Sequence, residues 1–354
     1  PPRETTKEIW EGIRIGVEGA KSWPVSSTTS IEDFESEILQ MITQFDHVYS
    51  ILGISESMDN LCKEVEAVSD PRPIIDPMRR IKSSKEIQYM QESATIGALS
   101  HKLAMKNAVP GMGEWEIQSN VEGHFMKSKS TWSFPSIVGG GSNATVLHYK
   151  NNDCIVNDGD LVLVDAGCEV NGYASDITRT WPINGSFTEP QKEIYELVLK
   201  AEKAGIEACQ VGSPWSKMHR VVSEVIAKGL IELGVLECSL EEALGDEAKL
   251  DGPFRNFFMH GTGHFLGLDV HDVGGGRQGD PGAPESLEPG MVLTIEPGLY
   301  FADWREDIEI PDRYAGIGIR IEDDILVTED GPVVLSSACP KEISEIEDIV
   351  GSGD

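Results

Sequence analysis

Apolar residues along this chain alternate between two periods. From about Ser84, Ile87, Met90, Ala94 and Ala98 fall on one face at helical spacing, which predicts a long helix. A second helix is expected near Glu114. Thr188-Glu189-Pro190-Gln191 is a capping box with proline in the first turn and predicts a helix over about 189–209. Ser213-Pro214 opens the next, to about Leu233. Ser30 to Phe34 has the form of a helix start within residues 1–68, and HVYSILG from His47 is expected to be a buried strand. SDPRPIIDPMRR, from Ser69, is read as a proline-rich linker that breaks both helix and strand. Strand periods dominate the last third. The order of helices, hairpin, helices and strands fits two α+β halves around a central antiparallel sheet better than alternating βαβ units. No internal sequence repeat is visible.

The strand-like segments carry unusual polar positions. LVLVDAG is a buried strand with Asp165 in it, and Asn171-Gly172 signals a two-residue hairpin turn. That turn would pair Val170 with Tyr173 and Asp165 with Thr178. Asp176 would then share a face with Asp165, roughly 7–8 Å away as a diagonal neighbour. In MHGTGHFLG, His260 and His264 alternate with glycines and are expected on one face of a strand. The helical zinc motif H-E-x-x-H is absent, because Gly261 stands where glutamate is needed. Thr294 and Glu296 share a face in MVLTIEP, as do Arg320 and Glu322 in GIRIED. Buried charge is rarely left unpaired, so these strands require an ion-pair network through Arg320 or a metal. The four carboxylates sum to about −4, which two dications would neutralise while holding a hydroxide between them.

The blocks LVDAGCEVNGYASDITRTWPING, HGTGHFLGLDVHDVG, LTIEPGLY and GIGIRIEDDI resemble the pita-bread metallopeptidases, in their aminopeptidase P and prolidase branch. The resemblance to aminopeptidase P runs from near residue 8 to near residue 349. KEIWEGIRIGVEGA and SSACPKEISEIEDI resemble the mitochondrial, intermediate-cleaving subgroup. It implies an α+β pita-bread fold over 76–354, preceded by a partial N-terminal α/β domain and linker over 1–75. Asp165 and Asp176 would hold one divalent metal, His264 and Glu296 a second, with Asp176 and Glu322 bridging. Glu296 would shuttle the proton of the attacking water. His271 would steady the tetrahedral intermediate, His260 and His148 would contact substrate with it, and Arg320 would orient the carboxylates. The oxygen-rich donor set favours manganese, with cobalt, magnesium or zinc as alternatives. The activity implied is removal of one N-terminal residue from peptides or imported mitochondrial proteins. Prolidase action on Xaa-Pro dipeptides is the alternative, and a metal-free peptide-binding pseudoenzyme or scaffold a more distant one. Relatives carry an N-terminal domain of about 100–200 residues that aids dimerisation and completes the pocket. Here some 70 residues precede the linker and resemble its second half, so the homodimer is expected only as far as they suffice. The mitochondrial matrix is the implied compartment, with the cytoplasm as alternative; no targeting segment is visible, and a presequence would have been removed.

Composition narrows the partners. The 354 residues fit two domains or one large one. A net charge of −31 argues against nucleic acid, whose phosphates need clustered Lys and Arg. It serves solubility and can attract a peptide's positive N-terminus. Cys62, Cys154, Cys168, Cys209, Cys238 and Cys339 are scattered without CxxC spacing, which fits a reducing compartment. No apolar run approaches the roughly 18 residues a membrane span needs. His101 and His219 lie on predicted helices outside the blocks and are expected to be uninvolved.

Overall fold

The computed structural model describes residues 1–274 and 285–353. Contacts divide the chain into two compact units, residues 1–75 and 76–354.

The first unit runs α1 (Thr5–Glu11), α2 (Gly16–Ala20), α3 (Phe34–Ile42), β1 (His47–Tyr49), α4 (Glu56–Cys62) and β2 (Ala67–Ser69). β1 and β2 pair in parallel, with α4 as the crossover. The buried strand expected from His47 is a correction: it is three residues long, and His47 and Tyr49 are exposed. A two-stranded sheet has no further strand to cover its edges. The proline-rich segment also differs from expectation. It forms α5 (Arg72–Arg80). The Asp70 carboxylate accepts the Arg72 amide at 2.9 Å. Pro73 falls in the first turn, where no backbone donor is needed, so only Pro77 costs a helical bond.

The second unit begins with α6 (Ser84–Asn107) and α7 (Glu114–Lys127). Ser83 and Glu86 cap α6 reciprocally, each side chain bonding the other's amide. β3 (Thr131–Trp132), β4 (Ile137–Gly140), β5 (Leu161–Ala166), β6 (Cys168–Val170), β7 (Tyr173–Ala174) and β8 (Ile177–Pro182) follow. Next come α8 (Glu189–Ala208), α9 (Trp215–Glu232) and α10 (Leu240–Leu244). β9 (Val292–Ile295), β10 (Gly298–Tyr300), β11 (Gly318–Arg320), β12 (Asp323–Thr328), β13 (Gly331–Val334) and α11 (Ile343–Ile349) complete it.

Two antiparallel three-stranded sheets, β4-β5-β8 and β13-β12-β9, position the site. An isolated bridge between Thr178 and Glu322 joins them. Each sheet follows a helix pair, α6–α7 before the first and α8–α9 before the second, so the order of elements repeats although the sequence does not. The hairpin register is as expected: Val170 pairs with Tyr173 and Asp165 with Thr178. Asn171 and Gly172 have φ of 52° and 83°, as a tight I′ turn needs. Along β5, Val162 and Val164 pack into the main core with Val121 and Phe125 of α7 and Val198 of α8. Leu163 packs on the opposite side, against Ile137 and Tyr300. Asp165 continues that second face.

The strand expected over His260–His264 is a second correction. Only Phe265 forms a bridge, to Leu293. Upstream the chain is extended but pressed against β9: a Cβ on Gly263 would lie 1.8 Å from the Thr294 carbonyl oxygen. No regular pleat allows that approach. The His264 amide instead donates to the Thr294 hydroxyl at 3.2 Å.

Candidate metal centre

Asp165 leaves β5 directly opposite Thr178, and the Thr178–Glu322 bridge brings Glu322 in beside them. The Thr178 hydroxyl donates to Glu322 Oε2 at 2.7 Å. His264 faces this cluster. Its Nε2 lies 3.4 Å from Asp176 Oδ2, 3.9 Å from Glu296 Oε1 and 4.0 Å from Glu322 Oε1. Its Nδ1–H donates to the Phe265 carbonyl at 3.0 Å, which fixes the tautomer and leaves the Nε2 lone pair towards the acids.

Arg320 organises the opposite wall. Its Nη2 donates to Asp165 Oδ2 at 2.6 Å, Nη1 to the Tyr300 hydroxyl at 3.0 Å and Nε to the Thr178 hydroxyl at 3.2 Å. Tyr300 in turn donates to His260 Nε2 at 2.9 Å, and His260 Nδ1–H donates to the Gly261 carbonyl at 2.7 Å. A polar chain thus runs from Asp165 through Arg320 and Tyr300 to His260. Burial first, then the nearby charge of Arg320, lowers the His260 pKa to about 3, so this imidazole is neutral.

The carboxylates repel one another. Burial, followed by the charge of Glu322, raises Asp176 and Glu296 well above the usual range. Burial and then Asp165 push Glu322 up to about 7. Asp165 Oδ1 and Asp176 Oδ1 are buried without a hydrogen bond among the described residues. Atoms of Asp176, His264 and Glu322 lie within 4.8 Å of one another. Such crowding is costly unless positive charge lies between the groups.

All nine residues singled out from sequence line one cavity of about 1370 Å³. His271 is exposed, its ring edge-on to His264 with centroids 4.3 Å apart. His148 is exposed in the loop after β4 and reaches the same cavity.

The sequence pattern of metallopeptidase family M24 matches residues 88–329. The chain belongs to this family. The Xaa-Pro aminopeptidase of Haemophilus influenzae is 43% identical over 355 residues, covering 99% of this chain and 80% of the relative. The mitochondrial intermediate cleaving peptidase 55 of Arabidopsis thaliana is 35% identical over 366 residues, covering 99% of this chain and 69% of its own. The structure of Pseudomonas aeruginosa aminopeptidase PepP superposes with a TM-score of 0.90 at 37% identity, over 98% of this chain and 80% of that one. The fold is the pita-bread fold, and the chain is a metal-dependent peptide hydrolase.

The donor set of this M24 peptidase fits divalent cations. The two orphaned carboxylate oxygens, the raised acids and the oriented His264 Nε2 are all satisfied by positive charge at one place.

Sequence reading missed several supports of this M24 site. Tyr300 and Thr178 stand in the recognised blocks, but their roles depend on partners distant in the chain. Asp324 was also overlooked; its carboxylate accepts the Asp176 amide at 3.1 Å. His219 and His101 lie nearer the site than their place outside the blocks suggested. The first turns of α9 bring His219 to the cavity wall, where Nδ1 bonds the Thr262 hydroxyl at 2.8 Å. His101 is buried on α6 and donates to the Ala166 carbonyl at 3.2 Å, one residue from Asp165. The supposed linker and the residues just after it also contribute: Arg79 and Lys82 bond Asp272 at 2.6 and 3.0 Å and so hold the segment carrying His271.

Proposed function

We propose that this metallopeptidase removes a single N-terminal residue from peptides longer than two residues, chiefly where proline follows. The observation that carries this reading is the cluster of Asp165, Asp176, His264, Glu296 and Glu322 lining a cavity large enough for several residues. The relatives called Xaa-Pro aminopeptidase support the preference for proline. Asp165 and Asp176 would hold one cation, His264 and Glu296 another, with Asp176 and Glu322 shared. Manganese suits this oxygen-rich set.

Bound dications there supply Lewis acidity and lower the pKa of a water toward neutrality. The rest is assigned to side chains. Glu296 accepts the proton of the attacking water and delivers it to the leaving nitrogen. His271 donates to the oxygen that becomes negative as the carbonyl is attacked. Neutral His260 contacts the substrate, oriented by Tyr300. Arg320 holds Asp165 in place through the 2.6 Å bond. His148, across the cavity, contacts the residue beyond the cleaved bond. Residues 1–75 stand for part of an N-terminal domain, and a homodimer is included in the proposal. A mitochondrial setting is supported by the Arabidopsis relative, whose name places it there.

Mass spectrometry on manganese-loaded protein tests this reading. The panel comprises Xaa-Pro dipeptides, longer peptides with proline second, and proline-free peptides starting with Tyr, Leu or Phe. Loss of one residue from the longer Xaa-Pro peptides is expected. Cleavage of dipeptides alone would make the protein a prolidase, and cleavage of proline-free peptides would shift the assignment to the intermediate-cleaving role.

A further inference from the structure

The cavity lining carries charge of both signs. Asp165, Asp176, Glu296 and Glu322 are its buried or half-buried acids. The lining from the start of α9, the turn after α10 and the segment before His260 carries Lys217, Arg220, Lys249 and Arg255 against one acid, Glu247, with Lys217 and Lys249 exposed. Arg220 is occupied by Glu224 and Glu247, both at 3.1 Å. The other three have no carboxylate within salt-bridge reach among the described residues. Among the described residues Lys217 bonds the Ser213 hydroxyl, at 3.3 Å.

Arg255 is the most telling. Arginines elsewhere hold acids: Arg179 with Asp323, Arg305 with Asp307, Arg313 with Glu193, Arg320 with Asp165. Acids outnumber bases by 60 to 29, so an unpaired, part-buried guanidinium is unexpected. Arg255 is held rigidly all the same. Nη1 and Nη2 donate to the carbonyls of His260 and Met259 at 2.9 and 2.8 Å, and Phe254 and Phe258 each lie 6.0 Å from its guanidinium carbon. A guanidinium has five N–H donors, so this one keeps capacity for an acceptor entering the cavity. It is tied to the backbone of His260, whose Nδ1 lies 3.7 Å from Glu296. That anchors it to the residue beside the carboxylate assigned to the attacking water.

We propose that Arg255, with Lys217 and Lys249, forms a carboxylate subsite for the part of the substrate that follows the cleaved bond. It takes the free C-terminal carboxylate of a short peptide, or an acidic side chain at the third position. The inference rests on the aminopeptidase reading and adds a specificity to it. A peptide likewise carries both signs, with an ammonium at its N-terminus. The acids of the cavity receive that ammonium and the bases receive the opposite charge. A chain with a net charge of −31 repels anionic peptides at a distance, so local cations are what admit them.

The test compares kcat/KM of the manganese-loaded full chain on two matched pairs. One pair is Leu-Pro-Ala as free acid and as amide. The other is Leu-Pro-Glu-Ala amide and Leu-Pro-Gln-Ala amide. The charged member of at least one pair is expected to be favoured about fivefold, through KM, as one part-buried charge pair supplies. The ratio should shrink as ionic strength is raised to about 0.5 M. Arg255→Gln, and separately the double variant Lys217→Gln with Lys249→Gln, should bring the ratio towards one. A lesion of the fold or of His260 lowers both members of a pair alike and leaves the ratio standing. Preference within the first pair alone assigns the C-terminal carboxylate, and within the second alone the acidic side chain. Ratios near one in the unaltered protein, or ratios that neither variant changes, overturn the subsite while the peptidase reading stands. No turnover of any of the four peptides overturns that reading and the subsite with it.

Discussion

Glu296 combines a ligand charge with a proton acceptor, and glutamine in its place removes both while keeping its shape. Glu296→Gln is expected to lower turnover by at least about 10²–10⁴-fold. Near-normal steady-state rates in the metal-loaded variant would show that another group accepts the proton. Without metal, the same cluster sets a pH dependence. Burial and Asp165 push Glu322 up to about 7, and Asp176 and Glu296 are raised with it. In the unfolded chain such groups titrate near 4. A carboxyl raised by folding adds stability below its unfolded pKa and loses it as pH rises through its folded one. Metal-stripped protein should therefore melt lower at about pH 8 than at about pH 5, and loaded protein should lack this loss. A loss of only about 1 kcal/mol moves Tm by about 1–2 °C in a chain this long, so the loss summed over several raised carboxyls is what the melting curve reads. Flat or rising melting temperatures in stripped protein would contradict the placement of these acids. At this scale the ligand candidates were legible because a carboxylate in an apolar strand is conspicuous. Tyr300 and His219 were not, since each matters through a partner tens of residues away, the Arg320 guanidinium and the Thr262 hydroxyl.

The elements read best where local chemistry decides them. The apolar period from about Ser84, the capping box at Thr188 and the Pro214 start marked α6, α8 and α9 within a residue or two. Local chemistry misled where position inside an element matters more than composition. The prolines of α5 are tolerated because Pro73 sits in the first turn. Around His264 the glycines do not mark strand alternation but close packing of two backbones. Gly263→Ala tests that directly. The new methyl group would meet the Thr294 carbonyl oxygen at 1.8 Å, so β9 and the His264 segment must part. The variant should lose about 2–4 kcal/mol in urea denaturation, in the range of overpacking and broken buried hydrogen bonds. It should also bind metal more weakly than a Gly261→Ala control. Equal stability of the two variants would mean that the segment gives way freely.

On the scale of the whole second unit, the donors are divided between the two repeated halves. Asp165 and Asp176 come from the chain after α6 and α7, and His264, Glu296 and Glu322 from the chain after α9. Elemental analysis of manganese-loaded, desalted protein is expected to find more than one equivalent, and less than about half an equivalent in folded protein would refute a two-metal centre. Removing the metal should lower Tm, because a ligand bound only by the native state stabilises it by mass action.

The Thr178–Glu322 contact spans 144 positions of sequence, yet each of its residues belongs to a different half. The exposed turn at 245–249 lies within the second half, between the two groups of donors in the chain. A protease cutting there would sever the backbone and leave the sheets, the Thr178–Glu322 bridge and the donor set untouched. The two pieces should stay together through gel filtration, part when chelator and mild denaturant are both added, and regain metal only when mixed. Cleavage at that turn would thus convert an intramolecular site into one shared by two polypeptides.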